Sequence, residues 1–316
     1  MKNILFLTFI LSASSAVAQN KAQVIFYNVE NLFDTLDTPN QSDEEYLPIA
    51  EKNWNSEKYW EKIAHINKVM DEFYNIALMG VCEIENKAVL IDVVKGQKQK
   101  LKIAHFESVD ERGIDVGLMY NKKMFCLKKK GILRFTLTVE GEPKATRDIL
   151  FVELKHKKER IHVMVNHWPS RYGGAEESEP SRILASETAK KYIDSVLNID
   201  PQAKIIFMGD LNDYPTNKSV ENIMDQLTPM ITQTSGSKGG SHSYKNEWNI
   251  LDHMLISIGM TNAGSMRAVT NSGKINEFEY LFETWKGNVV PLRTYAGKKY
   301  LGGYSDHLPV SFEIQF

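Results

Sequence analysis

Short apolar runs, separated by polar or glycine positions, recur along the whole chain. Val24–Val29, Ile76–Val81, Val116–Tyr120, Ile132–Val139, Ile149–Leu154, Ile161–Val165, Lys204–Met208, Met254–Ile258 and Pro309–Ile314 have the length and the Val, Ile, Leu and Phe content of β-strands. Several are continuous rather than alternating, as in strands covered on both faces. Helical spacing appears between some of them. Tyr59, Trp60, Ile63, Ile66, Val69 and Met70 predict a helix from Ser56, as its cap, through Phe73. Ile183, Leu184, Tyr192, Ile193 and Val196 predict a second helix from Ser181 to Leu197, ending before Asp200-Pro201. The stretch Ser235–Ser243, rich in Gly and Ser, reads as a loop. No fixed-period repeat, heptad pattern or dividing linker is visible. Strands outnumber helices, so the expected class is mixed α/β, with two packed sheets covered by helices in one domain over residues 19–316.

The N-terminus changes the compartment. Lys2, the apolar run Ile4–Leu11 and the small residues Ser12–Ala18, with Ala16-Val17-Ala18, predict a signal peptide over residues 1–18. The chain is therefore expected to be exported, to the periplasm or beyond. The apolar run is shorter than the ~20 residues of a membrane span, so no integral span is expected. Composition is that of a globular protein, 42% hydrophobic and 25% charged. A net charge of −2 gives no global positive field, which weakens the case for DNA or RNA as partner without removing it. No protein partner is implied. Cys82 and Cys126 are too few for a disulfide framework or zinc cluster, and both read as small buried residues.

The polar residues of interest sit at strand ends, where loops gather distant side chains. They are Asn28 and Glu30, Glu83 and Glu85, Asn166-His167-Trp168-Pro169, Gly209-Asp210-Leu211-Asn212-Asp213, and Ser305-Asp306-His307. Each alone fits a turn or a packed histidine as well as a site. The set fits phosphoester chemistry. A hard cation needs one or two carboxylates and substrate oxygens, which Asn28, Glu83 and Asp306 could supply. Asp210 and Asn212 could orient water and a phosphate oxygen, while His167 and His307 donate to the phosphate. Asp252, at the start of a strand, is the candidate orienter of His307.

Eight blocks, "YNVENLFD", "CEIEN", "RGIDVGLMY", "TRDIL", "VNHWPSR", "MGDLND", "LDHMLIS" and "YSDHLPV", occur in the order found in endonuclease/exonuclease/phosphatase (DNase I-like) proteins, and the sequence resembles that superfamily from Val24 to its end. The resemblance implies a four-layer α/β sandwich of two mixed sheets flanked by helices, with its site at one end. It implies Mg²⁺ as cofactor, with Mn²⁺ and Ca²⁺ as alternatives. It implies metal binding by Asn28, Glu83 and Asp306, and catalysis by His167, Asp210, Asn212, Asp252 and His307. Arg147 resembles a phosphate-contacting arginine, and Asp115 is a candidate to orient His167. Arg171 is placed either to meet an anion or to pair with Glu176–Glu179. The blocks "HWPSRYGG", "RGIDVGLMY" and "YLGGYSDHLPV" look most like exported members from Bacteroides-type bacteria. The implied activity is metal-dependent hydrolysis of phosphate esters, by a phosphodiesterase such as an exported endonuclease. The alternatives are a phosphatase or phosphodiesterase for small molecules or lipid headgroups, and a non-catalytic binding module. The lipid reading ranks lower, because no aromatic hairpin is obvious in the long loops.

Overall fold

The computed structural model describes residues 21–139, 141–262 and 264–316. The expected signal peptide lies outside the described residues. The main strands are β1 (Lys21–Leu32), β2 (Ile76–Ile84), β3 (Leu101–His105), β4 (Asp115–Asn121), β5 (Cys126–Leu133), β6 (Ile149–His156), β7 (Glu159–His167), β8 (Lys204–Asp210), β9 (Asp252–Ile256) and β10 (Val310–Gln315). The helices are α1 (Ser56–Asp71), α2 (Lys87–Lys95), α3 (Glu179–Ile199) and α4 (Lys218–Met224). One sheet runs β10-β1-β2-β4-β3, with two two-residue strands paired to β10, and the other runs β9-β8-β7-β6-β5, with one two-residue strand beyond β9. The pairs β1–β2 and β7–β8 are parallel.

The two-residue period of a strand assigns each side chain a layer. Val163, Val165, Ile206, Met208, Met254 and Ile256 join the core shared with the first sheet. Their neighbours Met164, Ile205, Phe207 and Leu255 face outward, packing with Ala185, Ala189 and Ile193 of α3 and Val220 and Ile223 of α4. Ile63, Ile66, Val69 and Met70 of α1 and Val89, Leu90 and Val93 of α2 belong to the core on the first sheet. The result is the four-layer α/β sandwich expected. The sheets approach closely at Gly80, where a Cβ would lie 2.5 Å from Met208 Sδ.

The same period aims the chemistry. Asp210 continues the inward series Ile206, Met208; His167 continues Val163, Val165; Asp252 precedes Met254 and Ile256. On the first sheet, Phe26 pairs with Gly80 and Asn28 with Cys82, so Asn28 faces the same inter-sheet space.

Several expectations shift. The side chain capping α1 is Asn55, which accepts from the Lys58 N–H, and Ser56 is the first helical residue. The run Ile132–Val139 is two pieces: β5 ends at Leu133, and Leu137–Val139 forms a hairpin with Glu142–Lys144, because Phe135 and Leu137 pack into the outer core with α3 residues. The strand read at Met254–Ile258 is Asp252–Ile256, and Ile258 is exposed. Cys82 is buried, but Cys126 is exposed on β5, an edge strand, and both are free. The stretch Ser235–Ser243 is a loop only as far as Ser241, which is fully buried; His242–Tyr244 then pairs with Glu247–Asn249. An aromatic hairpin does exist: Phe282–Trp285 pairs with Asn288–Pro291 around Lys286-Gly287, both at positive φ, with Trp285 half-exposed beside the turn.

The loop leaving β8 is fixed by a buried ion pair. Arg182 Nε of α3 lies 2.7 Å from Asp213 Oδ2, with both side chains at most 1% exposed. Ser219 Oγ donates to the same oxygen, and Arg182 also donates to Ser178 Oγ and the Ala175 carbonyl. Removing one partner strands the other charge in the core. Arg182→Met is expected to lower unfolding free energy by about 3–5 kcal/mol, measured by urea denaturation; a loss below about 1 kcal/mol would show that the pair does not hold the loop.

Candidate active site

Three strands of the second sheet bring their polar residues to one level. Asp210 is in register with His167 on one side and Asp252 on the other. Asn28 lies opposite, on β1 at the last residue of its regular pairing with β2. Its Nδ2 donates to Glu83 Oε1 (3.2 Å) and to Asp210 Oδ2 (3.0 Å), while its Oδ1 accepts from the Glu30 N–H (3.0 Å). Glu83 reaches this point through an irregularity in β2: its φ is +60°, the β2–β4 register shifts between Cys82 and Ile84, and Oε2 accepts from the Asn31 N–H. Strand-end bulges of this kind re-aim a side chain. His167 Nε2 stands 3.8 Å from Glu83 Oε1 and 3.9 Å from Asp210 Oδ2.

His307 enters from the loop before β10. Its Nδ1 donates to Asp252 Oδ2 at 2.7 Å, and its Nε2 faces Asp210 Oδ2 at 3.7 Å. Ser241 Oγ donates to the same Asp252 oxygen (2.6 Å), and Ser305 Oγ accepts from the His307 N–H. The expected pairing of Asp252 with His307 is therefore present in the geometry.

The two histidines are held in opposite states. Burial works against the His307 cation, but the carboxylates of Asp252 and Asp210 outweigh it and hold its pKa well above the usual value. Burial, reinforced by Arg147 and Arg112, holds His167 well below it, and its buried Nδ1 has no hydrogen-bond partner among the described residues. Burial pushes the Asp210 carboxyl up, with Asp252 and Glu83 adding to the rise and His307 opposing it. Environments that drive titratable groups apart in this way separate proton donors from acceptors.

The remaining candidates stand around this group. Asn212, at φ +50°, bonds the Trp168 carbonyl through Nδ2, while its N–H donates to Asp210 Oδ1. Asp306 lies on the far side of His307, bonded by Arg293 Nη2 at 2.6 Å rather than joined to Asn28 and Glu83. Arg147 is buried behind His167, donating to the carbonyls of His167 and Trp168 and to Asp110. Among the described residues Arg171 does not pair with Glu176–Glu179; its guanidinium lies over the Tyr214 ring, and its Nη1 forms an ion pair with Asp213 Oδ1 at 3.9 Å. Asp115 does not orient His167: its Oδ2 pairs with His105 Nε2 at 2.9 Å, across neighbouring strands. Sequence reasoning missed Ser241 and His242, hidden in a stretch read as loop, and Arg293, which no apolar pattern marks. Glu30, noted at the end of β1, is tied to Arg293 and the Thr294 N–H.

The donor set fits a hard divalent cation. Glu83 and Asp210 share one amide donor, and among the described residues no basic side chain comes nearer to Asp210 Oδ2 than His307 at 3.7 Å. Two carboxyl groups so placed repel each other when ionised, and a cation with oxygen preference would offset that repulsion.

The Asp252 carboxylate is the principal support of the His307 cation. Asp252→Asn is expected to lower the His307 titration midpoint, so that less of it is protonated at pH 7. The measurement is the pH dependence of its imidazole NMR resonances; an unmoved midpoint would remove Asp252 from this role.

Comparison with known proteins agrees with the architecture. No curated protein matches the sequence. Among solved structures, an endonuclease/exonuclease/phosphatase family protein from Bacteroides thetaiotaomicron is 13% identical with a TM-score of 0.59, covering 94% of this chain and 98% of its own. A mannosyl-6-phosphatase from the same organism is 14% identical with a TM-score of 0.57, covering 93% and 100%. D. rerio TDP2, complexed with single strand DNA product, is 14% identical with a TM-score of 0.56, covering 94% and 100%. At these identities the likeness is one of fold. Residues 23–315 match the family described as Endonuclease/Exonuclease/phosphatase, and with nearly the whole length matched, the chain belongs to that family.

Proposed function

We propose that the chain is a divalent-metal-dependent hydrolase of phosphodiesters that works outside the cytoplasm. The observation that carries this reading is the gathering of Asn28, Glu83, His167, Asp210 and the Asp252–His307 pair in one inter-sheet cleft. The export part rests on the signal-peptide pattern of residues 1–18.

Each side chain has a task its surroundings allow. Asp210, its carboxyl raised toward neutral pH, takes the proton of the attacking water. His307, cationic and held by Asp252, donates to a phosphoryl oxygen and opposes the charge that grows there. Neutral His167 presents Nε2 to the same space as a hydrogen-bond partner. Arg147 braces the His167–Trp168 backbone, and the Asn212 amide keeps the loop after Asp210 against it. Mg²⁺ held by Glu83 with Asn28 and Asp210 would supply neutralisation of the phosphate.

Purified protein with Mg²⁺ is expected to nick supercoiled plasmid, to stop in EDTA, and to lose about 10²–10⁴-fold in rate in Asp210→Asn. Circular dichroism establishes that the variant folds. Nicking that persists in EDTA or in folded Asp210→Asn would overturn the mechanism. Hydrolysis of phosphomonoesters alone would make the chain a phosphatase. No hydrolysis of either class by folded, metal-loaded protein would end the hydrolase reading.

A further inference from the structure

Two β-hairpins stand beside the loop that carries Asp306 and His307. In the first, His242–Tyr244 pairs with Glu247–Asn249. Its root is joined to the site: His242 bridges His307 through the backbone, and their rings are 4.7 Å apart. The strand period places Tyr244 on the same face as His242, about 7 Å further out, and Tyr244 is 63% exposed. The second hairpin, Phe282–Trp285 with Asn288–Pro291, ends two residues before Arg293, the partner of Asp306. Trp285, beside its turn, is 54% exposed. The hairpins touch through the rings of Trp248 and Phe282, 6.0 Å apart.

Each outer ring has a cation beside it. Lys245 Nζ lies 5.2 Å from the Tyr244 ring centroid, and Lys286 Nζ lies 5.5 Å from that of Trp285. Among the described residues neither lysine pairs with a carboxylate. The core does not bury these four side chains, and the hydrolytic group does not use them. An exposed aromatic face next to an unpaired cation offers what single-stranded nucleic acid presents in return: a base to stack and a phosphate to neutralise.

We infer that the two hairpin tips form a docking track for single-stranded nucleic acid, with bases on Tyr244 and Trp285 and backbone phosphates at Lys245 and Lys286. This rests on the phosphodiesterase reading and narrows its substrate to a base-bearing strand that reaches the cleft past His242. The net charge of −2 gives no global pull toward such a strand, and Glu247 and Glu283 share the faces of Tyr244 and Trp285, so the attraction comes from the cations local to the tips. A bilayer fits the same tips less well. Trp285 shares its face of the hairpin with Glu283 and Asn288, while the exposed Val289 points the other way, so no continuous apolar wedge forms.

The test is binding of a fluorescent oligothymidylate to the whole chain in EDTA, against an abasic strand of equal length and charge. The intact protein is expected to prefer the base-bearing strand. Tyr244→Ala and Trp285→Ala are each expected to weaken its binding by about tenfold, while Tyr244→Phe and Trp285→Phe retain the preference. Equal affinity for the two strands would overturn the track, as would alanine variants that keep the preference. Trp285-dependent binding to phosphatidylcholine vesicles, with no preference between strands, would give the tips to a membrane instead. Hydrolysis of bis(p-nitrophenyl) phosphate with Mg²⁺ tests the underlying activity separately. If it proceeds while the strands bind equally, the track fails and the hydrolase stands; if folded protein cleaves neither diester nor strand, the hydrolase fails and the track, which rests on it, falls with it.

Discussion

One amide group holds the two halves of the site together. Asn28 Nδ2 donates to a carboxylate of each sheet, Glu83 from the first and Asp210 from the second, and its Oδ1 is fixed by the Glu30 N–H. All three bonds are made in a side chain with no exposed surface. Two buried carboxylates repel, and each resists leaving water. A neutral double donor bridges them without adding a charge of its own. A lysine or arginine in that position would stabilise both carboxylates and occupy the ground a divalent cation needs. A leucine would leave both unsatisfied. The residue joining the walls of the inter-sheet cleft is uncharged, and charge reaches Asp210 instead from His307 at 3.7 Å.

The backbone near this amide departs from regular strand geometry. Glu30, Asn31, Glu83 and Asn212 all have φ between +50° and +60°. For residues with a Cβ such angles cost of order 1–3 kcal/mol each. The β1–β2 register shifts between Asn28 and Leu32, and the β2–β4 register between Cys82 and Ile84. A regular strand would alternate Glu83 away from the inward-facing Cys82. The irregularity instead turns both Glu83 oxygens to donors at the cleft, Asn28 Nδ2 and the Asn31 N–H. The strain sits where strict alternation would have scattered the polar groups, and the continuous cores on either side of the second sheet keep it there.

What could be read from sequence follows from this division. The long apolar runs located the sheets, because burial on both faces leaves little besides Val, Ile, Leu and Phe in the pattern. The residues at their ends were legible for the same reason: Asp210, His167 and Asp252 each interrupt or border an apolar run at its inward phase. Cys126 was misjudged because edge position depends on strand order, which no local pattern records. Asp115 was given the wrong partner because His105 sits across a strand pairing invisible in sequence. Trp285 escaped notice because its hairpin is short and its turn, Lys286-Gly287, lies in a segment without alternation. Arg293, bonded to Glu30 and Asp306, and Ser241, bonded to Asp252, act on residues whose grouping is recognisable only once Asp306, Asp252 and His307 are assembled.

The opposite states of the two histidines come from the same assembly. His307 is enclosed by the carboxylates of Asp252 and Asp210, and His167 feels Arg147 and Arg112 from behind. Both rings are buried, so burial alone would make both neutral; neighbouring charge separates them. Because Asp252 and Asp210 pair across adjacent strands, both face His307 from one end of the sheet. Arg147 cannot compensate from the other side, because its guanidinium nitrogens are committed to Asp110 and to the carbonyls of His167 and Trp168. The cleft therefore has a polarity fixed by strand register: a cationic donor on the β9 side, a neutral imidazole on the β7 side, and Asp210 between them.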